Sequence, residues 1–431
     1  MAMGRTSDIS GFYKLTTQER LKLVQEFAGL TDQEVEILAS TGALKAEDAN
    51  RMVENVIGVM PVPLGVAVNF LINGKDYLIP MAIEEPSVIA AASNAARIAR
   101  QTGGFTATST DPIMRGQIQI VNVPDPHGAR ISLLKSREAI LKEANACDPV
   151  LVSLGGGARE LEAKVLSTSA GPMLIAELLV DCRDVMGANA VNTMAEAVAP
   201  SLERLTGGKV YLRIISNLAD RRLARARVTI SKEAIGGEDV VNGIIQAYAF
   251  AAADPYRCAT HNKGVMNGVT AVILATGNDT RAVEAGAHAY AARAGGYQPL
   301  TTWEEDREGN LVGSIEVPMA VGTVGGLTKN HPVARTSLKI LGVKSSREFG
   351  EVLAVVGLAQ NFAALRALAA EGIQRGHMSL HARNIATQAG AVGDLIDTVA
   401  ARMVAEKTVR VDRAKQILDE LTAGNEEKAK S

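Results

Sequence analysis

The chain is short of cysteine, of aromatic residues and of net charge, and each shortage excludes something. Its three cysteines, Cys147, Cys182 and Cys258, are odd in number and far apart. They make neither a disulfide framework nor a zinc motif, and a cytoplasmic, reducing compartment fits such usage. Lys plus Arg number 45 against 47 Asp plus Glu, a net charge of -2. Phosphate backbones need a basic surplus, so no nucleic-acid partner is expected. No apolar run approaches the roughly 20 residues that cross a bilayer, and residues 1–11 lack the apolar centre of a signal peptide. No membrane partner is therefore expected. Aromatics are only 3% of residues, with one Trp, whereas Gly reaches 40 and Ala is plentiful. What is there is ordinary for a globular protein with a sizeable core: 47% hydrophobic and 21% charged residues. At about 150 residues per domain, a chain of 431 makes two or three domains.

Local signals divide it. Thr16-x-x-Glu19 and Thr31-x-x-Glu34 are capping boxes, in which hydroxyl and carboxylate each satisfy an open amide. They predict two short helices, the second stopping near Gly42. Nothing basic follows this pair, which argues against a DNA-binding motif. Ala67–Ile72 and Asp76–Ile79 flank Asn73-Gly74-Lys75, a hairpin signal because Asn-Gly accepts positive φ. Glu84-Glu85-Pro86-Ser87 comes next, then an Ala-rich helical stretch, Val88–Gln101, closed by Gly103-Gly104. Residues 112–216 read as strand (Gly116–Val123), helix (Ile131–Ala146), strand (Leu161–Leu166), strand (Pro172–Val180), helix (Asn189–Leu205) and strand (Val210–Ile215). That order, βαββαβ, is the ferredoxin-like split unit, an antiparallel sheet with both helices on one face. Beyond Asn217, helices are expected over Val240–Ala253, Thr280–Arg293 and Ser345–Glu371, and Leu300–Trp303 should pair with Leu311–Val317. From His377 the sequence reads as an appendage with helical patterns over 391–407 and 410–422. The expected fold is α+β. Residues 1–111 and 217–376 form a large, mainly helical, discontinuous domain, 112–216 an inserted ferredoxin-like, non-Rossmann domain, and 377–431 a C-terminal helical piece.

Several segments carry residues able to do chemistry. Two adjacent carboxylates in apolar surroundings, Glu84-Glu85, invite a raised pKa in one of them, and a raised carboxyl is a general acid at neutral pH; equally, Glu and Ser decorate helix N-termini. The polar run Asp254–Gly264 contains Arg257, suited to clamping a carboxylate, and Lys263, suited to holding an oxyanion; the bland alternative is a solvated loop. Asp279 closes Ala275-Thr276-Gly277-Asn278-Asp279, either as a helix cap or at a loop of the kind where α/β sites gather. His377 and His381 share one face if helical, but no Glu or Cys accompanies them, so an acid/base role is favoured over a metal site, and none is expected. Ser153–Gly157 and Asp184–Asn189 are glycine turns, the second opening a helix whose amides suit a pyrophosphate. Neither matches Gly-x-Gly-x-x-Gly.

Together, Glu54-Asn55-Val56-Ile57-Gly58, Glu84-Glu85-Pro86-Ser87, Asp184–Asn189, Thr260-His261-Asn262-Lys263-Gly264, Ala275–Asp279 and Gly376-His377-Met378 resemble hydroxymethylglutaryl-CoA (HMG-CoA) reductase of class II, the soluble bacterial form. The resemblance runs over nearly the whole chain. It implies interconversion of HMG-CoA and mevalonate plus CoA, in mevalonate and isoprenoid metabolism, by two hydride transfers with a nicotinamide cofactor. It implies Glu85, Lys263, Asp279 and His377 as catalytic residues and Ser87, Arg257 and Asn267 as substrate contacts. Asp184, Met186, Gly187 and Asn217 fall on the dinucleotide side. Asp148 matches a position at which NAD-preferring relatives carry a carboxylate, so NAD(H) is expected ahead of NADP(H). The family is an obligate homodimer, with Glu54–Gly58 at its contact, and its C-terminal piece is a mobile flap bearing the histidine. One departure is Lys14 after Tyr13, where an Arg that meets the CoA phosphates often stands, so that cation is left unassigned. The rival readings are another nucleotide-dependent CoA-ester oxidoreductase and a non-enzymatic ferredoxin-like binding module.

Overall fold

The computed structural model describes residues 6–370 and 382–428. Both capping boxes close: Thr16 accepts from Glu19 N, and Glu19 accepts in return from Thr16 N at 2.7 Å. They open α1 (Thr17–Ala28) and α2 (Asp32–Ala39). Helix α2 stops at Ser40 rather than at Gly42, and an unforeseen α3 (Ala46–Met52) follows. Strands β1 (Leu64–Ile72) and β2 (Lys75–Ala82) form the expected hairpin, with Asn73 and Gly74 at φ 50° and 75°. Helix α4 (Val88–Arg100) and β3 (Thr106–Ser109) complete the first part.

The inserted unit contains β4 (Ile113–Val121), α5 (Pro126–Lys135), α6 (Arg137–Ala146), α7 (Pro149–Ser153), β5 (Gly157–Thr168), β6 (Gly171–Asp181), α8 (Ala188–Thr206) and β7 (Lys209–Ile215). Its sheet runs β5-β6-β4-β7, antiparallel throughout, the ferredoxin-like order. The single helix expected over 131–146 is instead two, meeting at Ser136, because Asp125 and Pro126 start α5 earlier with a cap and an N1 proline. Alternate β4 residues Met114, Ile118 and Ile120 are buried in the unit's own core. The other face holds an ion-paired cluster: Glu177, buried, accepts from Arg115 at 2.7 Å and Lys164 at 2.8 Å.

The chain then returns through β8 (Leu223–Ile230), α9 (Lys232–Ile235), α10 (Glu238–Ala253), α11 (Pro255–Ala275), α12 (Thr280–Ala291), β9 (Thr301–Glu305), β10 (Leu311–Pro318), α13 (Gly326–Asn330), α14 (Pro332–Leu341) and α15 (Ser346–Ala370). Strands from both parts combine in one antiparallel sheet, β3-β8-β10-β9. Helices α11 and α15 pack closely because glycines stand at their contact: Gly268 meets Val356 and Gln360, and Gly357 meets Val265 and Val269. Against the expectation that no apolar run reaches that length, Ser346–Ala369 is by length and composition apolar enough to cross a bilayer. Here it is the central core helix, with Val352–Val356 buried. A separate small core joins α16 (382–388), α17 (Asp394–Ala405) and α18 (Val411–Lys428) through Ala386, Val399, Met403 and Ile417.

Candidate active site

The polar run Asp254–Gly264 is not a loop; it is the first half of α11. Asp254 caps the helix, accepting from Arg257 N at 2.9 Å, and Pro255 occupies the N-terminal turn, where its missing N–H costs nothing. The apolar run Val269–Leu274 continues the same helix. Helical spacing places Lys263 and Asn267 on one face. Both reach a single oxygen of Glu85, presented by the turn between β2 and α4: Lys263 Nζ donates at 2.9 Å and Asn267 Nδ2 at 3.4 Å to Oε2. The Lys263 and Glu85 side chains are 60% and 37% exposed. A pair so open to water stabilises a fold by only about 0.2–1 kcal/mol, so stability does not account for the arrangement.

Ser87 ends the same turn. Its φ of 76° is left-handed, a conformation that costs a non-glycine residue about 1 kcal/mol or more. Its buried Oγ has no partner and does not cap α4. Arg257 is half-buried and, among the described residues, forms no ion pair. Asp279 caps α12, accepting through Oδ1 from Arg281 N at 3.0 Å and Ala282 N at 3.1 Å. It bonds neither Lys263 nor Glu85 in this structure. Its neighbour Asn278 ties the α11–α12 turn to the loop that precedes α8: Oδ1 accepts from Gly322 N at 2.8 Å, and Gly322 packs so closely on Met186 N that a side chain would collide. His377 lies outside the described residues.

In that loop Gly187, at φ 112°, precedes α8 with no side-chain cap, leaving the helix's first amides open. A Cβ there would run into Cys182, so the cradle requires glycine. This geometry fits a pyrophosphate. Asp184 accepts from Ser346 N at 2.7 Å, which clamps the loop to the start of α15. Asn217 is exposed in the link between β7 and β8. Asp148 caps α7 through Oδ1, accepting from Leu151 N at 2.9 Å. The triple-glycine turn is structural: Asn145 bridges Ala158 there, donating at 3.0 Å and accepting at 2.7 Å.

Two features gave no clear signal in the sequence. Arg222 is buried and donates to the carbonyls of Val185, Met186 and Val321, gripping the loop that precedes α8. Burial pushes its pKa down to about 10, against the pull of nearby Cys182, Asp184 and Asp181. Beside Lys263, His261 and Asn262 anchor α11. Asn262 donates to Gln298 O at 2.9 Å and accepts from Leu300 N at 2.9 Å. His261 Nε2 meets Thr301 Oγ1 at 2.7 Å, and burial, then Arg257, lowers its pKa to about 4.

Fold and site thus define an α+β protein in which a lysine on a core helix pairs with a carboxylate from the β2–α4 turn, and an inserted ferredoxin-like, non-Rossmann unit presents an open helix N-terminus. The model of the hydroxymethylglutaryl-coenzyme A reductase family matches residues 16–382. The 3-hydroxy-3-methylglutaryl-coenzyme A reductase of Archaeoglobus fulgidus is 62% identical over 416 residues, 96% of this chain and 95% of its own. A probable reductase of the same name from Borreliella burgdorferi is 38% identical, covering 78% of this chain and 77% of its own. A solved structure of the Streptococcus pneumoniae reductase superposes with a TM-score of 0.82 at 39% identity, covering 96% of this chain and 99% of that one. The chain belongs to the HMG-CoA reductase family, and its structure matches the class II form.

Proposed function

We propose that this protein interconverts HMG-CoA and mevalonate plus CoA by two successive hydride transfers, and that Lys263 and Glu85 do the central chemistry. The observation that carries the residue assignment is the convergence of Lys263 Nζ and Asn267 Nδ2 on Glu85 Oε2, beside the unpartnered hydroxyl of Ser87. A nicotinamide cofactor supplies the hydride when bound. The residues that would hold it are Gly187, Met186, Asp184 and Asn217. Reducing a thioester to an alcohol passes through a hemithioacetal and an aldehyde, and both reductions place negative charge on one carbonyl oxygen. The Lys263 ammonium stabilises that oxygen, and the Glu85 carboxyl delivers its proton. Asp279, with Oδ2 unengaged, is assigned to hold Lys263 and tune Glu85 once substrate is seated. Arg257 and Ser87 take the hydroxymethylglutaryl part, and Asn267 orients Glu85. His377 protonates the departing CoA thiolate, which otherwise recaptures the aldehyde. The C-terminal piece opens between the two transfers so that spent cofactor leaves.

NAD(H) is the assigned cofactor, because Asp148 retains an unengaged Oδ2 that can accept from a ribose 2′-hydroxyl and would repel a 2′-phosphate. The Streptococcus pneumoniae relative has been solved bound to NADPH, so NADP(H) is the competing arm of the test. A homodimer is the assigned assembly. Ile57 and Met60 are 105% and 89% exposed in a segment that leads into β1, and Ile83 N donates to Pro63 O at 3.1 Å, so this apolar strip adjoins the Glu85 turn. A second copy over the strip would shield the Lys263–Glu85 pair from water. Incubation with mevalonate, CoA and each oxidised nicotinamide cofactor, and the reverse reaction with HMG-CoA, tests the function. No turnover in either direction overturns it. Turnover of other CoA esters but not HMG-CoA favours the rival oxidoreductase.

A further inference from the structure

A cavity of about 450 Å³ lies on the outer face of the β3-β8-β10-β9 sheet, closed at one side by the end of α12 and the segment 298–300. None of the residues assigned to catalysis or to coenzyme lines it. Strand geometry decides what faces it, because only alternate residues project to one side. On β8 these are Arg225 and Arg227, which stand roughly 7 Å apart along the strand. The register adds hydroxyls: Thr106 and Ser314 flank Arg227 on the neighbouring strands, and Thr108 flanks Arg225. A third guanidinium, Arg293, enters from the end of α12, its Cζ 3.4 Å from the centroid of the Tyr290 ring.

The charges do not balance. One carboxylate, Glu316, serves the cavity. It pairs with Arg225 at 2.6 Å, lies 3.8 Å from Arg293 and also accepts from the Tyr290 hydroxyl. Among the described residues Arg227 pairs with no carboxylate. Three guanidinium groups therefore share one acid, a net charge of +2 around a cavity that opens to solvent. The volume lies within the range of about 300–1,000 Å³ typical of small-molecule sites.

We propose that this cavity binds a compact polyol carrying two phosphate groups, at a site separate from the coenzyme sites. A guanidinium fork matches phosphate oxygens in bidentate fashion. Arg227 offers a fork that no carboxylate occupies among the described residues, Arg225 offers a second on exchanging Glu316 for phosphate, Arg293 closes the far side, and the threonine and serine hydroxyls meet the polyol between them.

The test is calorimetric titration of the full protein, with CoA and NAD saturating so that the coenzyme sites are filled. The probes are fructose 1,6-bisphosphate and inorganic pyrophosphate, with citrate and unphosphorylated fructose for comparison. The bisphosphate should bind, and Arg227→Glu should weaken it by about tenfold or more while leaving turnover and melting temperature unchanged. Because Arg227 is exposed and unpaired, that variant should fold. Arg293→Gln should weaken binding too. The proposal is overturned if neither phosphate probe binds, if binding is indifferent to Arg227→Glu, or if the probes bind only when CoA and NAD are left out. Citrate binding as tightly as the bisphosphate overturns the phosphate assignment.

Discussion

His261 should make this protein acid-sensitive by an amount that its surroundings set. The imidazole is 1% exposed and hydrogen-bonded in a chain whose proton directions follow from the partners. Trp303 Nε1 can only donate, so the Asn361 oxygen that it meets at 2.8 Å is an acceptor. Thr301 spends its one hydroxyl proton on that same oxygen, also at 2.8 Å, and must therefore accept from His261 Nε2–H. Nδ1 is then the site that would be protonated, and it is buried with no partner. Arg257 lies one helical turn back on α11, and the Tyr248 ring is 6.5 Å away, so no neighbour here welcomes a positive charge. Burial first and Arg257 second carry the pKa from 6.5 to about 4. An unfolded chain binds this proton below about pH 6.5 and the native protein does not until about pH 4, so stability rises with pH across that window and is flat above it. At about 1.4 kcal/mol for each pH unit, the loss on acidification is about 3 kcal/mol. Urea unfolding of wild type and His261→Gln near neutral pH and near pH 4.5 measures it. Gln can still donate to Thr301 but cannot take a proton. The variant should lose about 2–3 kcal/mol less than wild type on acidification. Equal losses in the two proteins refute the reasoning.

Other outcomes follow from the same geometry. Lys263→Ala should cut turnover by about two orders of magnitude or more, because losing an oxyanion donor costs about 3 kcal/mol, yet should barely move the melting temperature, since the exposed pair with Glu85 contributes little; turnover within about tenfold of wild type removes Lys263 from the mechanism. Gly313→Ala should destabilise by about 1–3 kcal/mol, because the new methyl would overlap the buried Trp303 ring; an unchanged thermal melt contradicts the packing described. Asp148→Ala should shift the ratio of kcat/KM from NAD(H) toward NADP(H), and an unchanged ratio, or a wild type that already favours NADP(H), removes Asp148 as the discriminator. Ile57→Asp should shift the protein toward monomer in sedimentation and lower turnover with it; a dimer that persists places the contact elsewhere.

The sequence alone determined what neighbouring residues decide among themselves. The Thr16 and Thr31 boxes, the Asn73-Gly74 turn and the alternation along β4 were legible because each depends on partners a few residues away. The order of the inserted unit followed from that periodicity, and the motif sequence around Glu85, Lys263 and Asp279 pointed to the family. Polarity misled at Asp254–Gly264: the Asp-Pro start of a helix was present, but the density of polar side chains read as a loop. Tertiary structure alone decided that Glu85 meets Lys263 across 178 residues of chain, because only the packing of α11 against the β1–β2 hairpin brings them together. It also decided that Arg222 is interior rather than solvated, whereas the Asp279 cap of α12 is local and was one of the two readings the sequence offered. Burial and pairing depend on groups distant in sequence, and a side chain's identity does not reveal which of them will surround it.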